Sequence, residues 1–130
     1  MSEVNVVNPP GTEAVYKSWK FAQATVCGDR VEVAGQVGVR PDGTSPETIE
    51  EQTRLAFSNL KGVLEAAGSS LDHVLHLTQY FTDIKEVRAS DSVFDEFFTK
   101  YYPARTVVQV SALVRPQFKL EVQASAVLKK

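Results

Sequence analysis

Three side chains in this sequence combine a reactive type with a telling position. Arg105 follows Pro103-Ala104 at the start of a β-prone run. A planar guanidinium placed there can grip a carboxylate through two parallel hydrogen bonds. Spacing alone favours the plainer reading, a surface arginine paired with one of the sixteen acidic residues. Glu121 falls out of step with the apolar alternation Leu120, Val122, Ala124, Ala126. A carboxylate so placed can act as a general base on water, or simply be solvated. Asp91 interrupts an otherwise apolar helical stripe, and a buried carboxylate without a partner is expensive. Its position predicts either a structural hydrogen bond or a polar site at an interface.

The remaining reactive types offer less. His73 and His76 are three apart, and a strand through them would send them to opposite faces, so they make no joint metal site. Cys27 is the single cysteine and cannot close an intramolecular disulfide. It reads as a small core residue in a hairpin arm. No Walker loop, GxGxxG, GxSxG elbow or HExxH occurs, so neither cofactor nor metal is expected.

The elements that must position these residues follow from periodicity and turn chemistry. Asn8-Pro9-Pro10-Gly11 reads as an extended, turn-rich lead-in. Two β-prone runs, Phe21 to Cys27 and Val31 to Gln36, are split by the hairpin dipeptide Gly28-Asp29. Ser45 is placed as an N-cap with Pro46 at the first helical position. The helix that follows carries Ile49, Thr53, Ala56, Leu60, Val63, Leu64 and Ala67 on one stripe, and Gly68 ends it. Val74 to Thr82 reads as a strand. Asp83 and Glu86 form a capping pair opening a second helix with stripe Val87, Asp91, Phe94, Phe98 and Tyr101. Strands from Arg105 to Leu113 and Lys119 to Val127 follow. The order predicted is β-β-α-β-α-β-β, an α+β fold whose two helices cover one face of the sheet. The other face, with Val108 and Val110 among small polar residues, calls for a second subunit.

The chain has 130 residues with 43% hydrophobic and 23% charged, which fits a single soluble domain, 1–130. Fourteen basic residues against sixteen acidic leave a net charge of −2, so no basic field is available for nucleic acid. No run is long enough to span a membrane, and the first residues, Met1-Ser2-Glu3-Val4-Asn5, lack a signal-peptide pattern. With one cysteine, the expected setting is reducing and cytoplasmic.

Several stretches, taken in order, resemble the RidA/YjgF/YER057c/UK114 family of reactive enamine and imine deaminases. They are Val33-Ala34-Gly35-Gln36, Glu51-Gln52-Thr53-Arg54, Asn59-Leu60-Lys61, Leu64-Glu65-Ala66-Ala67-Gly68, Phe94-Asp95-Glu96-Phe97-Phe98, Pro103-Ala104-Arg105-Thr106 and Leu120-Glu121-Val122-Gln123-Ala124. Together they span roughly residues 20–128. The resemblance implies a chorismate-mutase-like fold and a homotrimer, with three sheets forming a central barrel and active sites between subunits. It implies hydrolysis of reactive imines or enamines derived from amino acids, giving 2-oxo acids and ammonia without metal or cofactor. A non-catalytic small-carboxylate-binding or regulatory protein is the alternative.

By the same resemblance, Arg105 holds the carboxylate of an imino or 2-oxo acid, Glu121 positions or activates water, and Gly35 leaves room for the ligand. Val107 offers its backbone N–H where cysteine is common. The sequence departs from the family at Phe21-Ala22, where a Tyr-Ser pair is usual, and at Asp91, where asparagine is usual. It departs again at Leu113-Val114, for Leu-Pro. The anion clamp is thus kept while the lining of the pocket is altered.

Overall fold

Leu120, Val122, Ala124 and Ala126 are all buried, and Glu121, Gln123 and Ser125 between them face the opposite way. This period of two makes residues 120–127 the centre of the sheet. In the computed structural model, which describes residues 3–130, that segment lies between two strands and pairs with both. The strands are β1 (Asn5–Val7), β2 (Ala24–Cys27), β3 (Arg30–Val37), β4 (Val74–Phe81), β5 (Ala104–Gln109) and β6 (Leu120–Val127). Their order is β1-β2-β3-β6-β4-β5, antiparallel except for the parallel pair β4–β5. The sheet is open, with β1 and β5 as its edges.

Helix α2 (Ile49–Ala66) covers one face of the sheet. Its predicted stripe is buried throughout, and Phe57, Leu60 and Leu64 pack with Leu77, Phe81 and Leu120 in a single core. The helix starts later than Ser45 and Pro46 suggested. Thr48 is the cap, its Oγ1 accepting the Glu51 N–H at 3.2 Å, and the Thr-x-x-Glu spacing explains the choice. Ser45 Oγ is instead buried without a hydrogen-bond partner among the described residues. At the other end Gly68 takes φ +88°, and Ser69 N–H reaches Leu64 C=O at 2.8 Å, as the sequence predicts.

Three other expectations need correction. The lead-in is not merely extended: it supplies β1, a turn closed by Thr12 N–H on Pro9 C=O at 3.0 Å, and helix α1 (Glu13–Trp19). The sheet therefore has six strands rather than five. The second helix is short, with α3 (Val87–Asp91) flanked by single 3-10 turns at Ile84–Glu86 and Phe94–Glu96. Ser90, Asp91 and Ser92 break it, because short polar side chains compete for the backbone. Ser92 Oγ donates to Ala89 C=O at 2.6 Å, and Ser90 Oγ turns inward to Thr53 Oγ1 at 2.7 Å. Cys27, finally, is exposed rather than in the core. In β2 the inward phase belongs to Ala24 and Val26, which leaves Cys27 on the outer one. The Gly28-Asp29 turn stands as predicted, joining the paired residues Cys27 and Arg30.

Candidate functional site

The candidate residues fall into two groups on different surfaces. The first lies around β5. Arg105 pairs in register with Leu77 of β4, on the face turned toward the helices. Its Nε donates to Gln79 Oε1 at 2.5 Å, and its Nη2 and Nη1 donate to the two carboxylate oxygens of Asp91 at 2.5 and 3.3 Å. The guanidinium carbon sits 4.8 Å from the centre of the Phe94 ring. Phe94 is itself held by Phe57 and Phe98, with ring centres 5.5 and 4.6 Å away. The break at Ser90–Ser92 brings this together, since it stops α3 with Asp91 facing β5 and lets the chain turn back at Phe94.

Gln79 belongs to this group, although no motif in the sequence marks it. It is fully buried, and its Nε2 has no hydrogen-bond partner among the described residues. Its signal is a glutamine in the inward phase of Leu77-Thr78-Gln79-Tyr80-Phe81. Val107 pairs with Gln79 in register. Val110 N–H bonds Phe81 C=O at 2.8 Å, so strand alternation turns the backbone N–H of Val107 to the unpaired edge.

The second group centres on β3 and β6. Glu121 lies opposite Val37 on one side and Tyr80 on the other, on the face turned away from α2. Its carboxylate makes no hydrogen bond to another described residue, and burial pushes its pKa above the ordinary carboxyl range. The register of β3 and β6 shifts between Val33 and Gln36, a bulge that carries Gly35. A β-carbon at Gly35 would overlap the Glu121 carboxyl group. The space that a side chain at Gly35 would need is thus taken by the Glu121 carboxyl group.

Gly35 and Phe21 both line a cleft of about 700 Å³. Trp19, Val39, Val63 and Phe118 give it apolar walls, and the side chains of Gln23 and Gln36, bonded to each other at 2.8 Å, form a polar strip. Arg115 caps Trp19 at 5.7 Å from its ring centre. Sequence reasoning misses Trp19 because α1 buries nothing and shows no stripe. Asn59 fixes the cleft wall, its Nδ2 donating to the carbonyls of Val37 and Val39 at 2.9 and 3.1 Å.

Within one chain, then, Arg105 and Glu121 do not meet. They occupy opposite faces of the sheet, with β4 between their strands. Two ladder spacings separate the strands by roughly 10 Å. His73 and His76 have separate partners, Ser70 Oγ at 2.6 Å and Thr106 Oγ1 at 2.9 Å. No cluster of three or more potential metal ligands occurs among the described residues. Nor is any helix there long and apolar enough to cross a membrane.

An open mixed sheet of six strands with helices packed on it is the fold of RidA/YjgF-type proteins. Residues 11–128 match the family model described as Endoribonuclease L-PSP, and the chain belongs to this family. YjgH of Escherichia coli (strain K12), a RutC family protein, is 37% identical over 127 residues, covering 95% of this chain and 96% of YjgH. The protein named "Putative reactive intermediate deaminase TdcF" from the same strain is 33% identical over 82% of this chain and 85% of its own. The crystal structure of E. coli TdcF with bound serine superposes with a TM-score of 0.78, covering 84% of this chain and 88% of that one at 33% identity. A Mycobacterium tuberculosis member of the YjgF/YER057c/UK114 family gives 0.83, with 28% identity and coverage of 97% and 100%.

Proposed function

We propose that this protein is a hydrolytic deaminase of reactive imines and their enamine tautomers, of the kind that amino-acid breakdown generates, and that it works as a cytoplasmic homotrimer. One observation carries the reading. Arg105 and Glu121, the two residues that the sequence resemblance singles out, lie on opposite faces of the same sheet. A site that uses both takes Arg105 from one copy and Glu121 from the next. The surfaces suit this arrangement. Strand β5 is an unpaired edge with five of its six residues exposed, and such edges call for a cover.

In such a site the water oxygen adds to the imine carbon while the C=N electron pair moves to nitrogen and takes up a proton. The carbinolamine then breaks its C–N bond as the C=O bond forms. Imine and water become oxo compound and ammonia. Glu121 takes the proton of the attacking water and returns it to the leaving nitrogen, a task matched to a carboxyl whose pKa burial has raised. Arg105, with Gln79 and Phe94 fixing it, orients the substrate, and Val107 offers its backbone N–H beside it. Phe21 and the cleft beside Gly35 receive the substrate's apolar part.

The test generates imines in place with an amino-acid or amine oxidase and follows ammonia release. Acceleration over buffer is expected, and its absence across several side chains removes the reading. Mixing Arg105→Ala with Glu121→Gln protein, each impaired alone, should raise activity above the sum of the two, since one interface of each mixed trimer regains both residues. No recovery after subunit exchange would refute the shared site.

A second reading, ligand binding without turnover, is favoured by Phe21, which brings no hydroxyl to the cleft. Thermal shifts with 2-oxo acids in a protein inactive on every imine would support it. The endoribonuclease of the family description finds no support in a net charge of −2.

A further inference from the structure

We propose that Asp91 sets the substrate class of the Arg105 site, selecting imines that carry no carboxylate beside the reacting carbon: those formed from primary amines rather than from amino acids. The inference rests on the deaminase reading above, keeping its reaction and moving its substrate class from imino acids to the imines of primary amines.

A guanidinium presents two edges with paired N–H donors, one from both Nη atoms and one from Nε with its neighbouring Nη. In this protein both edges are already engaged. Asp91 spans the first, accepting from Nη2 at 2.5 Å and from Nη1 at 3.3 Å. The second has lost its Nε donor to Gln79 Oε1 at 2.5 Å. Gln79 is fully buried and its Nε2 has no partner among the described residues, so its oxygen makes the one hydrogen bond the amide has there and has no solvent to retreat to. Phe94 covers one face of the guanidinium at 4.8 Å.

An incoming carboxylate therefore finds no edge with two free donors, and at the Asp91 edge it meets a charge of its own sign. Like charges brought together at a recognition site are a strong means of rejection. A protonated imine meets the reverse. Each Asp91 oxygen keeps acceptor capacity after binding Arg105, and a cationic N–H group is what such an oxygen attracts. An ion pair of arginine and aspartate is thus neutral toward the ligand's body and favourable toward its nitrogen. Asparagine at position 91 would leave the guanidinium charge unanswered and the site open to carboxylates.

The experiment compares two imines with one side chain. An amine oxidase makes one from the primary amine, and an amino-acid oxidase makes the other from the corresponding amino acid. The wild-type protein should hydrolyse the amine-derived imine with at least tenfold higher kcat/KM, and Asp91→Asn should reverse the order. A wild-type preference for the imino acid overturns the inference whatever the variant does, and leaves the deaminase reading standing. So does an amine preference that Asp91→Asn leaves intact, because the aspartate charge is then not its cause. The wild-type ratio needs no variant, so a misfolded Asp91→Asn protein does not silence the test. If neither imine is hydrolysed faster than in buffer, the deaminase reading falls and calorimetry decides. Wild-type protein should then bind ethanolamine at least tenfold more tightly than serine, which differs from it by the carboxylate. Equal affinities, or tighter serine, overturn the inference.

Discussion

Glu121 occupies the volume that a side chain at Gly35 would need. The two residues sit on neighbouring strands, and the bulge in β3 turns the glycine toward the glutamate. Gly35 does not require left-handed backbone, so its missing side chain matters through space alone. Gly35→Ala should push the Glu121 carboxyl aside and cost about 1–3 kcal/mol through overpacking. Imine hydrolysis should fall at least tenfold. In a Glu121→Ala background the same change should cost little, and a double-mutant cycle on Tm and on kcat/KM measures that coupling.

Glu121→Gln should separate activity from stability. General base catalysis is worth about 10²–10⁴-fold, and that loss is expected in kcat. Stability should move the other way at neutral pH. Burial raises the folded-state pKa of Glu121, so its favourable contribution is present in acid and lost as pH rises through the folded value. The Gln variant should therefore show the higher Tm at pH 7, with the gap closing below the ordinary carboxyl pKa. Thermal unfolding from acid to neutral pH checks the sign.

Arg105→Ala should leave Gln79 with both amide ends unpaired inside the protein. An unsatisfied buried polar group costs about 1–3 kcal/mol, so a fall in stability is expected beside the loss of activity. Arg105→Lys should be nearly as damaging, because a point charge cannot bond Asp91 and Gln79 together as the planar fork does. Activity should drop about tenfold to a few hundredfold in each. Light scattering should find the assembly unchanged. Dissociation of both variants into monomers would make Arg105 a residue that holds the subunits together rather than one that orients substrate.

Arg54 and Glu96 tie α2 to the turn after α3 through bonds of 2.9 and 2.8 Å. The arginine hydrogen bonds lower the pKa of Glu96. A depressed carboxyl contributes stability above its ordinary pKa and loses it as pH falls through the folded value. Glu96→Gln should therefore lower Tm modestly at pH 7 and not at all in strong acid. Salt should shrink the difference, since the pair is exposed.

Legibility in this sequence follows one-sided burial. Helix α2 and strand β6 each bury one face, so their stripes stand out in the spacing of apolar residues alone. Helix α1 buries nothing and leaves no pattern to read. Thr48 and Ser45 both precede the same stripe, and only Glu51, three residues beyond Thr48, decides between them. The stripe through Val87 and Phe98 is real, but Ser90 and Ser92 turn their hydroxyls to neighbouring groups and end the helix inside it. Arg105, Glu121, Gly35 and Asp91 are legible through motifs. The pairing of Asp91 with Arg105 spans fourteen positions and has no local signal. Phase assigns Glu121 to the face away from the core, whereas edge strand β5, mostly exposed, gives Arg105 no such phase.

Strand β6 is the latest of the six in sequence and stands third from the parallel edge, between β3 and β4. During synthesis, β1 to β3 and β4 to β5 leave the ribosome as two separate pieces. Each ends in a bare strand edge facing the place the other will occupy. Neither can join until residues 120–127 have emerged, since no direct pairing links β3 to β4. Nascent chains of this protein therefore hold two sticky borders open until residues 120–127 emerge, the interval in which chaperones guard against wrong pairing. A ribosome stalled just before Leu120 would carry two half-sheets and no fold.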